Sequence, residues 1–385
     1  MIISTIIRMI YFILFMIILA PSLANATKTS TSAREAILLD YDTGYVLLQK
    51  NADTLMQPAS ITKIMTVLLA FERLADGRLH MQDEIPISEK AWKKGGSKMF
   101  VEIGSRVTVH DILRGIIVQS GNDAAIALAE AIAGTENAFA ELMNEKASVI
   151  GMGQATFCNA TGWPDPKHLV TARGLAALAI ETIRKFPEYY KIYAEKTFSY
   201  NGIRQKNRNP LLYKNIGADG LKTGYTEIAG YGLTASAKRN ERRLILVING
   251  LESANRRSRE GERLLEWGFR EFNNYKLFNP GQTIEQADVW LGEQNTVSLV
   301  TERELIITMP CTDRKKMQLS VEYDGPILAP ILKGQVLARL RISAPNREDQ
   351  IVPLVAKNNI GKLEGLNRIA RAIQYLIWDS YIAQL

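Results

Sequence analysis

The distribution of strand and helix signals along the chain is what most limits the folds open to it. Two short apolar segments, Ala36 to Tyr41 and Tyr45 to Gln49, flank Asp42-Thr43-Gly44, the turn chemistry of a hairpin. Clear strand character returns much later, at Tyr231 to Ala237 and Leu244 to Ile248, joined by the charged turn Lys238 to Arg243. Between these ends lie helical patterns at Ile61 to Phe71, Val109 to Val118, Asp123 to Ala133, Glu136 to Ile150 and Ala172 to Phe186. A further helix, Arg256 to Phe272, closes the region, and Ser88 to Gly104 reads as loop. This predicts one sheet assembled from both ends of the region with helices packed on it, an α+β domain.

Past Asn273 the pattern changes. Segments at Val289 to Leu291, Thr296 to Val300, Leu305 to Met309, Gln318 to Tyr323, Val336 to Ile342 and Ile351 to Val355 are separated by turn residues such as Asp324-Gly325-Pro326. That spacing predicts a small all-β sandwich. The last stretch, Gly361 to Leu385, is helical again, with Leu363, Leu366, Ile369, Ala370, Ile373, Ile377 and Tyr381 on one face. It is short and charged for a membrane span, and suits either the plane of a membrane interface or a cover for the sandwich. The expected layout is a leader at 1–26, an α+β domain at 27–275, a β-sandwich at 276–360 and the amphipathic helix at 361–385.

The leader is read from Arg8, the apolar run Met9 to Ala20, and the small-x-small ending Ala24-Asn25-Ala26. These are the parts of an export signal cleaved after Ala26. An exported body makes ATP and nicotinamide chemistry a poor fit, and no phosphate-binding glycine motif argues otherwise. The net charge of +7 suits anionic lipid or wall polymers, without the aromatic-interleaved basic stripe that nucleic acid requires. Cys158 and Cys311 fall in different domains and are expected as buried free thiols. His80, His110 and His168 lack clustered ligand spacing, so no metal site is expected.

Chemistry enters through three short motifs. Ser60 and Lys63, in Pro58-Ala59-Ser60-Ile61-Thr62-Lys63, sit about one turn apart at a helix start, where a serine can be activated by a lysine amine. Alone the pattern is common in a chain this long. Ser120-Gly121-Asn122, in a loop between helices, offers a hydroxyl to relay a proton and an amide to bind the lysine or a substrate carbonyl. Lys222-Thr223-Gly224, on the edge strand expected from Asp219 to Thr226, pairs a cation with a hydroxyl as a carboxylate clamp. The glycine would let a ligand's backbone come close.

Together and in this order, the motifs resemble those of penicillin-binding proteins and class A β-lactamases. Pro58 to Lys63, Ser120-Gly121-Asn122-Asp123-Ala124, Phe157 to Trp163, Asp219 to Thr226 and Glu266-Trp267-Gly268-Phe269 are similar to the D-alanyl-D-alanine carboxypeptidase branch of the low-molecular-mass penicillin-binding proteins. Tyr225 and Thr161 depart from it, standing where some members have histidine. The resemblance implies an antiparallel sheet with helices on both faces and a helical subdomain. It further implies a periplasmic serine peptidase, without cofactor, that trims terminal D-alanine from peptidoglycan pentapeptides in wall maturation and shape, and that β-lactams acylate. Its partners would be the stem peptide and the inner-membrane surface, reached through the C-terminal helix, and not nucleic acid.

In that mechanism Ser60 is the nucleophile and Lys63 its base. Ser120 passes a proton to the leaving amine, and Asn122 binds the substrate's peptide group. Lys222 and Thr223 hold the terminal carboxylate beside Gly224, and the N–H groups of Ser60 and Tyr225 form an oxyanion hole. Lys222 also repels the proton from Lys63. Competing readings are a class A β-lactamase, whose deacylating carboxylate finds no good match in Glu141-Leu142-Met143-Asn144, a transpeptidase or endopeptidase, and a non-catalytic wall-binding protein.

Overall fold

The structure, a computed structural model, describes residues 29–345 and 348–366 together with positions 368, 369 and 373. The expected leader and most of the expected C-terminal helix lie outside the described residues.

The strands of the first domain are β1 (Glu35–Asp40), β2 (Val46–Lys50), β3 (Glu84–Pro86), β4 (Arg106–Thr108), β5 (Thr197–Tyr200), β6 (Ile203–Lys206), β7 (Ala218–Thr226), β8 (Gly230–Arg239) and β9 (Arg242–Leu251). Five of them form an antiparallel sheet in the order β2-β1-β9-β8-β7. The sheet is therefore built from both ends of the region, as the sequence predicts, and β7 is its edge. Side chains alternate between two apolar cores on opposite faces. Ile37, Leu39, Ile245 and Val247 enter one, while Ala36, Leu38, Leu244, Leu246 and Ile248 enter the other. Burial on both faces explains why β9 reads as a continuous apolar run.

The helices are α1 (Lys63–Ala75), α2 (Glu89–Lys93), α3 (Val109–Arg114), α4 (Asn122–Ala133), α5 (Glu136–Val149), α6 (Ala172–Lys185), α7 (Pro187–Tyr190) and α8 (Ala254–Glu271). Hydroxyls of Thr135, Thr171 and Ser253 accept from Ala138, Gly174 and Arg256 N–H and cap α5, α6 and α8. On α1 every residue from Lys63 to Phe71 is buried, because the helix runs through the larger core. Two sequence expectations are corrected. The stretch expected as loop from Ser88 contains α2, capped by the Ser88 hydroxyl accepting from Ala91 N–H at 3.0 Å. The helix expected to Val118 stops at Arg114, and Gly115–Gln119 widens into a π turn that ends on Ser120 in the left-handed conformation, φ 69°.

The second domain holds β10 (Phe272–Phe278), β11 (Thr283–Trp290), β12 (Thr296–Val300), β13 (Leu305–Pro310), β14 (Gln318–Glu322), β15 (Ile327–Leu328), β16 (Val336–Ser343) and β17 (Gln350–Ala356). A six-stranded sheet, β14-β16-β17-β12-β11-β15, packs on the β10-β13 pair around one core. β10 follows α8 without a linker and runs across the expected border at residue 275. Where the domains meet, the Asp40 carboxylate accepts from Arg242 Nε at 2.9 Å and Asn274 Nδ2 at 3.1 Å. Both cysteines are free, but neither is buried: Cys158 is half-buried and Cys311 exposed, since each lies outside the helices and strands that line the cores.

Candidate active site

Ser60 lies in a 3-10 turn, Ala59–Thr62, that leads into α1. Its side chain caps no helix. Its Oγ faces Lys63 Nζ at 3.0 Å. Lys63 is 0% exposed, and its Nζ also donates to Asn122 Oδ1 at 2.7 Å and to the Thr161 carbonyl at 2.7 Å. An ammonium would use all three hydrogens on these partners. A neutral amine keeps two for Asn122 and Thr161 and turns its lone pair to the serine hydroxyl. Burial first, then the charges of Arg208 and Lys94, lower the Lys63 pKa to about 7 against the opposing pull of Asp123 and Glu136. No carboxylate touches it among the described residues, so both protonation states are accessible near neutrality.

Asn122 opens α4 and is itself pinned, its Nδ2 donating to the Gly95 carbonyl at 2.8 Å and its N–H to Ser97 O at 2.7 Å. Asp123 holds that same loop by accepting from the N–H groups of Met99, Phe100 and Val101 at 3.0, 3.0 and 3.3 Å. Ser120 is buried two residues before Asn122. Asn122 is thus brought directly to the Lys63 amine of the pair, with Ser120 two residues before it in the chain.

Strand β7 lines the other side. Gly224 packs against the Ser60 turn: a Cβ there would stand 2.7 Å from the Pro58 carbonyl. The chain's own backbone at Pro58 therefore already requires this glycine. Lys222 is buried, with its Nζ 3.2 Å from the Thr223 carbonyl, and Thr223 is buried beside it. Burial, then the charge of Lys63, then Arg208 and Arg257 push the Lys222 pKa well down. Arg208 and Lys94 act on Lys63 in the same direction as its like-charged neighbour Lys222. The repulsion between the two lysines is mutual and disfavours a proton on both at once. Tyr225 is 51% exposed, its ring 4.2 Å from that of Tyr231.

Two arginines escape the motif reading. Arg257, in the first turns of α8, lies on the buried stripe with Gly261, Leu264, Leu265 and Gly268, and an arginine on an apolar stripe is the signal that could have found it. It approaches the Gly224 carbonyl at 3.4 Å and sits 5.6 Å from the Tyr231 ring centroid; its Nε has no partner among the described residues. Burial lowers its pKa to about 10. Arg208 reaches in from solvent and donates to Ser97 Oγ at 2.7 Å. Lys63, Lys222 and Arg257 are therefore buried basic side chains with no carboxylate partner among the described residues, and an entering anion would favour their charged forms.

A serine poised on a carboxylate-free lysine, with a cation-lined edge strand beside it, belongs to the enzymes that pass an acyl group through their own hydroxyl. That is the class the fold and site define. Residues 22–253 match the family described as D-alanyl-D-alanine carboxypeptidase, and residues 272–362 match the penicillin-binding protein 5 C-terminal domain. The chain belongs to the D-alanyl-D-alanine carboxypeptidase family. It is 38% identical over 358 residues to the D-alanyl-D-alanine carboxypeptidase DacC of Escherichia coli, covering 90% of each chain. It is similar to crystallised penicillin binding protein 5 from Haemophilus influenzae, with TM-score 0.80 and 37% identity over 87% of this chain and 99% of that one. The ampicillin-bound penicillin-binding protein D2 of Listeria monocytogenes aligns with TM-score 0.58 and 28% identity, over 63% and 98%.

Proposed function

We propose that the chain removes the terminal D-alanine of peptidoglycan pentapeptides through an acyl-enzyme on Ser60, and that β-lactams acylate the same hydroxyl. The observation that carries this is Lys63, fully buried, 3.0 Å from Ser60 Oγ and held only by neutral oxygens. Lys63 takes the Ser60 proton as Oγ adds to the carbonyl between the two D-alanines. The N–H groups of Ser60 and Tyr225 receive the oxyanion. The C–N bond breaks, and the leaving amine collects a proton through Ser120. Asn122 holds Lys63 and meets the substrate's peptide group. Lys222, Thr223 and Arg257 receive the terminal carboxylate, whose charge returns the proton that burial strips from Lys222. Water then hydrolyses the ester, again with Lys63 as base. No step calls for a metal or cofactor.

We place the enzyme in the periplasm, exported by residues 1–26 and held at the inner membrane's outer face by 361–385. Leu366, Ile369 and Ile373, three apolar positions of that helix, are exposed, which supports an interfacial role. No helix among the described residues is long and apolar enough to cross a membrane. Intact-mass analysis with benzylpenicillin and peptide mapping tests the nucleophile: the adduct is expected on Ser60, and an adduct elsewhere overturns the assignment. Membrane fractionation with and without residues 361–385 tests the anchor, which fails if the shortened chain still sediments with membranes.

A further inference from the structure

We propose that Lys94 and Trp163 form a subsite for the residue preceding the D-alanine pair, favouring stem peptides whose side chain there ends in a free carboxylate. The inference rests on the carboxypeptidase reading and extends it to substrate class.

The indole is fixed by the turn that also serves Lys63. Asn159 Oδ1 accepts from the N–H groups of Thr161 and Trp163 at 3.2 and 2.9 Å, and Asn159 Nδ2 donates back to the Trp163 carbonyl at 3.1 Å. Gly162, with φ +74°, lies so close to the Ser60 turn that a Cβ would fall 1.8 Å from the Ala59 carbonyl. The Thr161 carbonyl binds Lys63 at 2.7 Å, so the indole stands two residues from a direct contact of the base. Gly96 separates it from Asn122: a Cβ on Gly96 would lie 2.8 Å from Asn122 Nδ2 and 3.2 Å from indole Cζ3. The carboxylate clamp on β7 occupies one side of Ser60. The acyl part of the peptide must leave on the other, past Asn122 and Gly96, and there it meets Trp163.

The ring is 42% exposed, and the Lys94 ammonium lies 4.1 Å from its centroid. Lys94 is half-buried and has no carboxylate within 4.0 Å among the described residues. The Glu136 carboxylate nearby is taken by Lys90 at 2.8 Å and by the Ala160 N–H at 3.2 Å. On the adjoining helix α2, Lys93 is paired with Glu89. An aromatic face capped by an unpaired cation suits a methylene chain ending in an anion, which packs on the indole and gives the ammonium a counter-charge. A side chain ending only in an amine would meet Lys94 with like charge.

The test uses two pentapeptides identical except before the D-alanine pair, one with a side chain ending in an amine alone, the other ending in an amine and a carboxylate. D-Alanine release gives kcat/KM for the full-length protein, Lys94→Met and Lys94→Arg. Expected is about a tenfold preference for the carboxylate peptide in the unaltered protein, near one in Lys94→Met and largely restored in Lys94→Arg. Lys94 also bears on the proton of Lys63, but that influence moves both peptides together and cancels in the ratio; benzylpenicillin acylation, followed in parallel, reports it separately. Equal kcat/KM values in the unaltered protein, or a preference that survives Lys94→Met, overturns the subsite. If the unaltered protein releases no D-alanine from either peptide, the carboxypeptidase reading itself falls.

Discussion

Helix α1 leads to two buried lysines in very different company. Near its C-terminal end, Glu72 binds Lys146 at 2.7 Å, and Glu181 joins at 3.1 Å while also holding Lys185 at 2.8 Å. Burial pulls the Lys146 pKa down, but the two carboxylates outweigh it and leave it raised. At the N-terminal end Lys63 is more deeply buried, meets only neutral oxygens, and falls to about 7. Residue type is shared, so deeper burial and the absence of a partner carboxylate together separate a base from a cross-brace.

Four experiments can break or sharpen that contrast. The largest effect belongs to the hydroxyl that Lys63 serves: Ser60→Ala should lose about 10⁴-fold or more in D-alanine release and form no penicilloyl adduct by intact mass. Lys63→Arg keeps a cation but removes the base, and kcat/KM should fall about 10²–10⁴-fold while the protein stays folded by circular dichroism. Near-normal activity there would show that proton transfer bypasses this residue. Arg257→Met should cost about 10–100-fold on a peptide ending in a free carboxylate and far less on its C-terminal amide. Lys146→Met closes the comparison: acylation should stay within about threefold, while urea unfolding shows a loss of roughly 1–3 kcal/mol as Glu72 loses its partner and Glu181 keeps only Lys185. A collapse of activity comparable to Lys63→Arg would erase the distinction.

Acidity separates the two lysines as well. The Lys63 base must be deprotonated, so kcat/KM should rise about tenfold per pH unit up to roughly 7 and then level. Stability follows the same group in a stated direction. Its folded pKa is depressed, so between about 7 and the ordinary 10.5 the unfolded chain binds more protons, and stability rises with pH across that window. Lys63→Met should flatten this rise in urea titrations. Lys146, with its raised pKa, keeps its contribution at these pH values and loses it only as pH climbs beyond the ordinary lysine range.

The sheet drawn from both ends of the domain was legible because β1, β8 and β9 carry apolar runs bounded by turn residues. Ser60, Lys63, Asn122 and Lys222 were legible because their spacing survives in one dimension. What escaped depends on three-dimensional approach. Arg257 reaches Gly224 from another element, and Asp123 looks like a helix-starting acid until its oxygens are seen gathering the 99–101 backbone. The contact of Gly224 with the Pro58 carbonyl escaped for a similar reason: a strand glycine signals close approach, but not that the chain's own turn makes it. The π turn before Ser120 has no periodic signature, since five residues are too few to distinguish it from α-helix.

The pairing of β1 with β9 has a consequence for how the enzyme comes into being. Glu35 and Asn249 face each other across 214 residues of sequence, with all of the motif residues strung between them. Until β9 exists, β1 and β2 form a two-stranded ribbon with one bare, apolar edge, open to pairing with any other strand. Loop closure on this scale is slow, and contacts within α1 to α6 cannot complete the sheet in its place. A nascent or clipped chain that stops before Arg242 therefore lacks the central strand against which β1 and β8 align, and with it the placement of β7 beside Ser60. Such a chain should be inert toward β-lactams and prone to aggregate rather than partly active. Synthesis of the last strand, not of the serine, is the moment at which the nucleophile acquires its surroundings.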